Sequence, residues 1–426
     1  MPLSSRFSGL SPTVPTPPLA SDAGGERLTD EAAVTFGTLR APRIDVILQE
    51  DVVVAQGAPV ARLRKHPEIA LTAPMPGRIA SISLKPGHRL DQIILFLEAD
   101  ADRYRHKTIG ADTKQDDTRL RALLQGSGLW LAFLSRPFAR LPAPAERPAA
   151  IFIMASDTRP LAPDPRKALE GRDEAFSRGL SALLRLCDGP VFVCQSEGEP
   201  LVDADNTGGR LRIVRTGARH PHGQAGFQIH RLHPARIDAP VWDIHAEDVA
   251  AIGALLATGY LPGTRLVSVA GPALTETRLV RCQPGANLKG LCHGAVRPGP
   301  YTLLNGSPLE GREAEWLGPR DRQVSVMPRK PHTGRKHWFR AALTKAARPL
   351  PIIPTAALDE AMGGAVPTVA LVRALSSGDQ ETAVRLGALS FVAEDLALAD
   401  YVTAAEPRLS ALLAGMLARI EAEEGA

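Results

Sequence analysis

Between residues 33 and 98, apolar and polar positions alternate in short runs that are separated by turn residues. The runs are Ile44–Leu48, Val52–Val54, Ile79–Leu84 and Ile93–Leu97, with Pro-Gly pairs at 76–77 and 86–87. Alternation with a period of two is typical of half-buried β-strands, and Pro-Gly marks the turns between them. The pattern predicts a barrel-sandwich β-module over residues 33–110, preceded by an extended arm rich in proline, serine and glycine over residues 1–32.

Strands and helices alternate over residues 111–270. Uninterrupted apolar runs occur at 151–155 (IFIMA) and 191–194 (VFVC), and such runs are typical of parallel strands that are buried on both faces. The other segments of this region are helices at Glu174–Leu186 and Asp248–Thr258 and strands at 211–215 and 265–271. The alternation predicts an open α/β sheet of the Rossmann-like kind.

The pattern changes again in the last part of the chain. Short strands separated by many turn residues, such as RLVRC at 278–282, predict a small β-grasp module of the SLBB kind over residues 271–325. From Val366 onwards apolar residues recur at helical spacing, so residues 326–426 are predicted to form a linker and a helical C-terminal domain. The fold class is therefore a multidomain α/β protein.

The composition is that of an ordinary globular protein, with 44% hydrophobic and 23% charged residues and a net charge of +4. Basic residues are spread along the chain, so they predict no nucleic-acid partner. No apolar run reaches the roughly 18 to 20 residues that span a bilayer. The N-terminus, MPLSSRFSGL, has no apolar signal core. These features predict a cytoplasmic protein.

Several motifs that bind cofactors are missing from the sequence. There is no GxGxxG, GxxxxGK[ST], HExxH or GxSxG, and the four cysteines include no CxxC pair. Without a glycine-rich turn a pyrophosphate cannot approach the backbone, so the Rossmann-like domain is predicted to be degenerate. The histidines between His220 and His245 are interpreted as structural or substrate-contacting residues. The chain is therefore predicted to bind no flavin, nucleotide, cluster or metal of its own.

Lys65 raises the question of a carrier function. The stretch TAPMPG at 72–77, with this lysine a few residues upstream, looks like the surroundings of the lysine that bears the swinging cofactor in lipoyl and biotinyl domains. Lys65 is followed by His-Pro-Glu, however, and its neighbours match neither the lipoyl Asp-Lys-Ala nor the biotinyl Met-Lys-Met context. We therefore expect Lys65 to be unmodified and the module to serve packing or docking.

The segment 128–138 combines aromatic and cationic residues. A quinone ring is planar and apolar with two carbonyl acceptors, so its site needs aromatic walls and a hydrogen-bond donor. If the segment is helical up to its proline, Trp130, Phe133 and Arg136 follow at spacings of three on one face, with Phe138 just beyond. These four residues are the candidate ubiquinone site. The alternative is an aromatic plug between domains.

The same segment resembles the A subunit of the sodium-translocating NADH:quinone oxidoreductase. The run GLWLAFLSRPFARLPAPAERPAAIFIMASDTRPLAPDP at 128–165 contains the Gly-Leu-Trp, Arg-Pro-Phe and Asp-Thr-x-Pro-Leu motifs of that family. Further collinear matches are TAPMPG at 72–77, HPHGQAGFQIHRLHP at 220–234, VWDIHAEDVAAIGALLATG at 241–259, GPALTETRLVR at 271–281 and SSGDQETAVRLGALSFVAEDLAL at 376–398. A more distant similarity is to the C subunit of the Rnf electron-transport complex, whose cluster-binding cysteine motifs are absent here.

The resemblance implies a peripheral subunit on the cytoplasmic side of the membrane, similar in fold to the NADH-binding subunit of respiratory complex I. It implies a chain that contributes to ubiquinone binding and complex assembly, while NADH, flavins and iron–sulfur clusters belong to partner subunits. The sequence departs from the family in its proline-rich N-terminus and in a short basic region after SVMPRK (325–330). It also has Ala388 and Asp400 in segments where the family tends to place cysteines. The alternative is a divergent stand-alone relative, a quinone-binding or scaffold protein without sodium transport.

Overall fold

The computed structural model describes residues 8–21, 23–37, 41–98, 102–108, 117–203, 208–329 and 352–424. The described part of the N-terminal arm is extended and lies across two later modules. Its backbone forms isolated bridges from Leu10 to His220, from Leu19 to Thr277 and from Glu26 to Arg281. The arm ends where the Gln283 side chain donates to the Thr29 carbonyl oxygen at 2.7 Å.

The first module is built from two small antiparallel sheets. Its strands are β1 (Glu31–Val34), β2 (Ile44–Val46), β3 (Val53–Val54), β4 (Pro59–Leu63), β5 (Ala70–Thr72), β6 (Gly77–Lys85) and β7 (Arg89–Leu97). The sheet orders are β1-β7-β6-β3 and β2-β4-β5. The inward side chains Ile79, Ile93 and Leu95 have no exposed surface, as the alternating pattern requires. Lys65 is exposed in the connection between β4 and β5.

The second module is an α/β sheet in the order β11-β10-β9-β12-β8. Strands β9 to β12 are parallel neighbours, and β8 is antiparallel to β12. Every residue of β9 is buried, as its uninterrupted apolar run predicts. The elements are α1 (Asp117–Gly126), β8 (Leu134–Arg136), β9 (Ala150–Ala155), α2 (Pro165–Leu169), α3 (Asp173–Leu186), β10 (Val191–Gln195), β11 (Leu211–Arg215), α4 (Ala225–Leu232), β12 (Val241–His245) and α5 (Ala246–Thr258).

The candidate quinone segment is not helical up to its proline, so the condition for a shared helical face is not met. After α1, Gly128 has a φ of 79°, and Leu129–Ala132 form a short 3₁₀ turn that leads directly into β8. Residues 134–136 are extended because β8 pairs with β12, and this tertiary hydrogen bonding decides the local conformation. Trp130, Phe133 and Arg136 therefore do not share one helical face.

The third module contains a five-stranded sheet in the order β14-β13-β17-β15-β16. Its elements are β13 (Arg265–Ala270), β14 (Arg278–Cys282), α6 (Leu288–Cys292), β15 (Tyr301–Asn305), β16 (Arg312–Glu313) and β17 (Gln323–Pro328). The sequence assigned β13 to the α/β sheet, but β13 pairs with β14 and β17 instead. Helix α5 ends at Gly259 with a φ of 80°, and the following loop carries the chain out of the α/β sheet.

The C-terminal module is helical, as predicted. Its helices are α7 (Ala356–Ala361), α8 (Thr368–Ser377), α9 (Gln380–Arg385), α10 (Ala397–Thr403) and α11 (Leu409–Glu424). It covers α4 of the α/β module, where the rings of Phe227 and Phe391 meet edge to face with centroids 5.0 Å apart. The predicted class, a multidomain chain of mixed α/β structure, is therefore confirmed.

Candidate functional site

Trp130 and Phe133 lie in the interior, in an aromatic cluster with Trp242. The Trp130 ring centroid is 5.6 Å from that of Phe133 and 5.3 Å from that of Trp242, and none of the three side chains has exposed surface. The indole N–H of Trp130 donates to the Pro142 carbonyl oxygen at 2.9 Å. Because the indole N–H of Trp130 is already hydrogen-bonded within the fold, it is not available to a ligand. The cluster supports the segment 128–138 from the protein interior.

Arg136 is buried between the α/β sheet and the C-terminal module. Its guanidinium contacts Asp243 at 3.0 Å and Asp395 at 2.6 Å, and it donates to the Ser390 carbonyl oxygen at 2.9 Å. Burial acts to lower the pKa of Arg136, but the two carboxylates outweigh it and raise that pKa. Phe138 is half-buried beside the C-terminal core, with the Arg140 guanidinium 5.5 Å from its ring centroid.

The carboxyl ends of β9 and β12 border a polar cavity of about 230 Å³. It lies where the strand order reverses, the place at which doubly wound domains bind nucleotides. In this chain the Asp395 carboxylate takes the position of a bound anion at the start of α4, where it accepts a hydrogen bond from Gly226 N at 3.3 Å. Burial raises the pKa of Asp395 although Arg136 acts in the opposite direction. In Asp243 the attraction of Arg136 and Arg320 outweighs burial and lowers the pKa.

A second, less polar cavity lies in front of the 3₁₀ turn, where the three N-terminal modules meet. Its volume is about 140 Å³. Gly128 makes the meeting possible, because a Cβ there would lie 2.9 Å from Thr72 Oγ1 of the β-module. The apolar residues of its wall are Ala33, Val34, Ala73, Pro74, Leu129, Leu131, Ala132, Ala251, Leu261, Pro262, Pro284, Leu317 and Pro319.

One end of this cavity carries charged side chains. Glu247 accepts hydrogen bonds from Leu266 N at 2.9 Å and from Arg322 Nε at 3.0 Å, and Asp248 pairs with the same arginine at 2.6 Å. Among the described residues, Arg265 donates only to the Pro319 carbonyl oxygen, so other N–H groups of its guanidinium can serve a ligand. Burial and the neighbouring Arg322 lower the pKa of Arg265 to about 10, at which it is still charged near neutral pH.

The buried histidines are neutral groups that hold loops together. Burial lowers the pKa of His220 to about 4 and that of His245 to about 3. His245 accepts a hydrogen bond from Glu247 N through its Nδ1 and thereby caps α5. Within the described ranges, no group of three His, Cys, Asp or Glu side chains is arranged to hold a metal ion.

All four cysteines are buried thiols. Burial raises the pKa of Cys194, Cys282 and Cys292 to about 12. A thiol that stays protonated is a poor nucleophile and a poor metal ligand. Among the helices that the structure describes, none has the length and apolarity to cross a bilayer.

The residues that line the apolar cavity were missed by sequence reasoning, apart from the segment 128–132. They come from stretches near residues 34, 73, 251, 265 and 318, which are brought together only by the docking of three modules. No local spacing pattern connects them. Trp130 and Phe133 lie behind this cavity, Phe138 packs against the C-terminal core, and Arg136 lines the polar cavity instead.

Family models match two parts of the chain. Residues 115–261 match the NqrA second alpha/beta domain, and residues 266–315 match the NQRA C-terminal domain. The solved NAD+-reducing [NiFe]-hydrogenase in the air-oxidized state aligns with a TM-score of 0.35 and 12% identity, over 71% of this chain and 62% of that chain. That similarity is too low to support a structural argument.

Curated relatives cover nearly the whole chain. The A subunit of the Na(+)-translocating NADH-quinone reductase of Yersinia pseudotuberculosis is 32% identical over 409 residues, 89% of this chain and 91% of its own length. That of Pseudomonas aeruginosa strain PAO1 is 34% identical, over 84% and 86%, and that of Cellvibrio japonicus is 33% identical, also over 84% and 86%. The resemblance inferred from the sequence is thus confirmed, and the chain belongs to the family of A subunits of the Na(+)-translocating NADH-quinone reductase.

Proposed function

We propose that the chain is the peripheral A subunit of a sodium-translocating NADH:ubiquinone reductase and contributes to ubiquinone binding and to assembly of the complex. Its location would be the cytoplasmic side of the membrane, held there by partner subunits. Those partners would carry NADH, the flavins and the iron–sulfur clusters. We also propose the finer assignments of fold, a barrel-sandwich module at 33–110 and a β-grasp module that includes β13 through β17.

The observation that carries the quinone proposal is the cavity in front of the 3₁₀ turn. Its walls are apolar and its charged end offers donors from Arg265, a combination that suits a planar ring with carbonyl acceptors. The cavity lies directly beside the candidate segment. Because Trp130 and Phe133 have no exposed surface, we assign them to holding the Leu129–Ala132 wall in place rather than to touching the ring.

Arg136 and Phe138 do not line the apolar cavity, and we assign them an indirect role in quinone binding. They hold the same segment against the C-terminal module, through Asp395 in one case and apolar packing in the other. Their substitution is therefore expected to act on quinone binding through the position of β8. The polar cavity at the end of β9 is a poor phosphate site, because among the described residues the six carboxylates that line it outnumber its four arginines.

Filling the cavity tests the proposal. Ala251 on α5 lines the wall, so Ala251→Phe should occupy the space of the ring and weaken binding of a tailless ubiquinone headgroup by about tenfold or more, the scale of losing well-packed contacts. Ala257→Phe is the matched control, because Ala257 is exposed on the same helix. Binding is followed by quenching of tryptophan fluorescence, and melting curves show that both variants are folded.

Arg265→Gln examines the charged end of the cavity. The loss of a charge-assisted hydrogen bond should weaken headgroup binding by about tenfold or more. Equal affinity of the parent, Ala251→Phe and Arg265→Gln for the headgroup would show that the cavity is not the quinone site. If the parent chain does not bind the headgroup at all, the isolated chain does not bind quinone and this part of the proposal is wrong.

A further inference from the structure

A second depression lies beside the apolar cavity and is bordered by exposed side chains. It has a volume of about 320 Å³ and shares Gln56, Pro74 and Thr264 with the wall of the cavity. Beyond these shared residues it is bounded by Leu28 of the arm, by Met75 and Pro76, and by Leu97 at the end of β7. We call this depression the Pro74–Leu97 groove. The groove and the cavity therefore adjoin one another across these three shared residues.

The floor of the groove is apolar and fixed. Pro74, Met75 and Pro76 line it in succession, and the two prolines have no N–H group to offer a ligand. Met75 is only 3% exposed, and its sulfur accepts a contact from Gln283 Nε2 at 3.6 Å. The Gln283 side chain also holds the end of the arm through Thr29. The arm residue Leu28 is thereby held at the mouth of the groove.

The mouth of the groove exposes large apolar side chains. Leu28 is 48% exposed and Leu97 is 36% exposed, and both side chains line the groove. Leucine side chains that are exposed at the edge of an apolar depression are a feature of surfaces that bind apolar ligands. Two charged residues also lie at the groove, Glu26 and Arg103, and Arg103 is held by Gln56 Oε1 at 3.0 Å and by the Leu261 carbonyl oxygen at 2.6 Å.

We propose that the Pro74–Leu97 groove is a subsite for the isoprenoid tail of a quinone. This inference rests on the proposed function, because it takes the headgroup to lie in the apolar cavity. An isoprenoid chain has no hydrogen-bonding groups, so its binding is driven by removal of apolar surface from water. The groove supplies apolar surface next to the cavity, and its exposed leucines leave room for a chain longer than the groove to continue into solvent. The substrate class is accordingly a long-tailed benzoquinone, and the protein discriminates tailed from tailless quinones.

A second apolar depression provides the competing route. It has a volume of about 310 Å³ and shares Arg172 and Pro262 with the cavity. Its outer wall is formed by Ala254, by Tyr260 and by Arg103, whose guanidinium lies 5.0 Å from the Tyr260 ring centroid. Arg103 borders both spaces, and the groove is favoured because exposed leucine side chains line it, whereas no leucine of the described ranges lines the other depression.

The experiment compares two ligands on the full chain. One is the tailless headgroup, 2,3-dimethoxy-5-methyl-1,4-benzoquinone, and the other is the ubiquinone that carries two isoprene units. The parent should bind the tailed quinone about tenfold or more tightly than the headgroup, because each buried methylene adds affinity. Leu97→Asp and Leu28→Asp should each remove most of this gain and leave the affinity for the headgroup unchanged.

Leu84→Asp is the matched control. Leu84 is 37% exposed at the far end of β6 and does not line the groove, so its substitution introduces the same charge on the same module. It should leave both affinities unchanged. Because all three leucines are partly exposed, the melting temperatures of the variants should stay close to that of the parent.

The outcomes separate the two proposals. If the parent does not bind the headgroup, the proposed quinone-binding function is wrong, and the tail subsite that rests on it is wrong as well. If the headgroup binds and the gain from the tail persists in Leu97→Asp and Leu28→Asp, the groove is not the tail subsite. Loss of the gain in Ala254→Leu, with both leucine variants unaffected, would place the tail in the depression beside Tyr260 and would equally overturn the inference.

Discussion

Replacing Asp395 by asparagine should lower the free energy of unfolding by about 3 kcal/mol, because it leaves a buried guanidinium with one counterion fewer. The Asp395 carboxylate is 4% exposed and accepts three hydrogen bonds. The donors are Arg136 Nη1 at 2.6 Å, Val392 N at 2.8 Å and Gly226 N at 3.3 Å. An asparagine amide can present only one oxygen to these donors, and its NH₂ group would face at least one of them.

The size of the effect follows from what remains around Arg136. Loss of one partner from a buried ion pair costs about 3 to 5 kcal/mol. The lower end applies here, because Asp243 still contacts Arg136 at 3.0 Å in the variant. Asp243 is also shared with Arg320 at 2.7 Å, so it cannot compensate fully. The expected loss is concentrated at the contact between β8 and the C-terminal module.

Urea unfolding of the parent and of two variants measures this prediction. The matched control is Asp238→Asn, which makes the same chemical change in an exposed pair with Arg236 and should cost less than about 1 kcal/mol. Limited proteolysis should also release the C-terminal module of Asp395→Asn earlier than that of the parent. An Asp395→Asn protein as stable as Asp238→Asn would refute the idea that the buried network joins the modules.

Four other features of the fold can be tested in the same way. Burial lowers the pKa of His245 to about 3, so between pH 6.5 and 3 the folded state binds fewer protons than the unfolded state, and the free energy of unfolding falls as the pH drops. In His245→Asn this free energy should fall less steeply with decreasing pH, by about 1.4 kcal/mol per pH unit. Gly253→Ala should lower the free energy of unfolding, measured in a urea titration, by about 3 kcal/mol or more, because its Cβ would lie 1.7 Å from the Ala175 carbonyl oxygen. Gly415→Ala has open space around its Cβ and should stabilise α11 by about 0.5 to 1 kcal/mol. The four buried thiols should react with Ellman's reagent only after denaturation, and fast reaction of any of them in the folded chain would contradict their burial. The purified chain, co-expressed with lipoyl and biotinyl ligases, should show the mass of the bare polypeptide and no flavin absorbance, and a mass increase mapped to Lys65 would restore a carrier function.

Local sequence patterns were reliable where the burial of an element can be recognised from the residues of that element alone. The run IFIMA predicted a strand buried on both faces, and β9 has that burial throughout. The motifs of segment 128–165 predicted the family correctly, as the relatives that cover nearly the whole chain show. The helical pattern of the last part of the chain likewise predicted the C-terminal module, since an amphipathic helix needs only a single apolar face to be recognised.

The sequence by itself determined the family, the mixed α/β class, the parallel strands and the absence of a glycine-rich phosphate loop. Only the tertiary structure decided that 134–136 is a strand, because its hydrogen bonds come from β12, more than a hundred residues later. Only the tertiary structure placed β13 in the third sheet and assembled a cavity from three modules. Spacing along a chain records which residues share one face of one element. Pairing between strands and the space between docked modules depend on residues that are distant in sequence, and for this reason the site could not be read from the sequence alone.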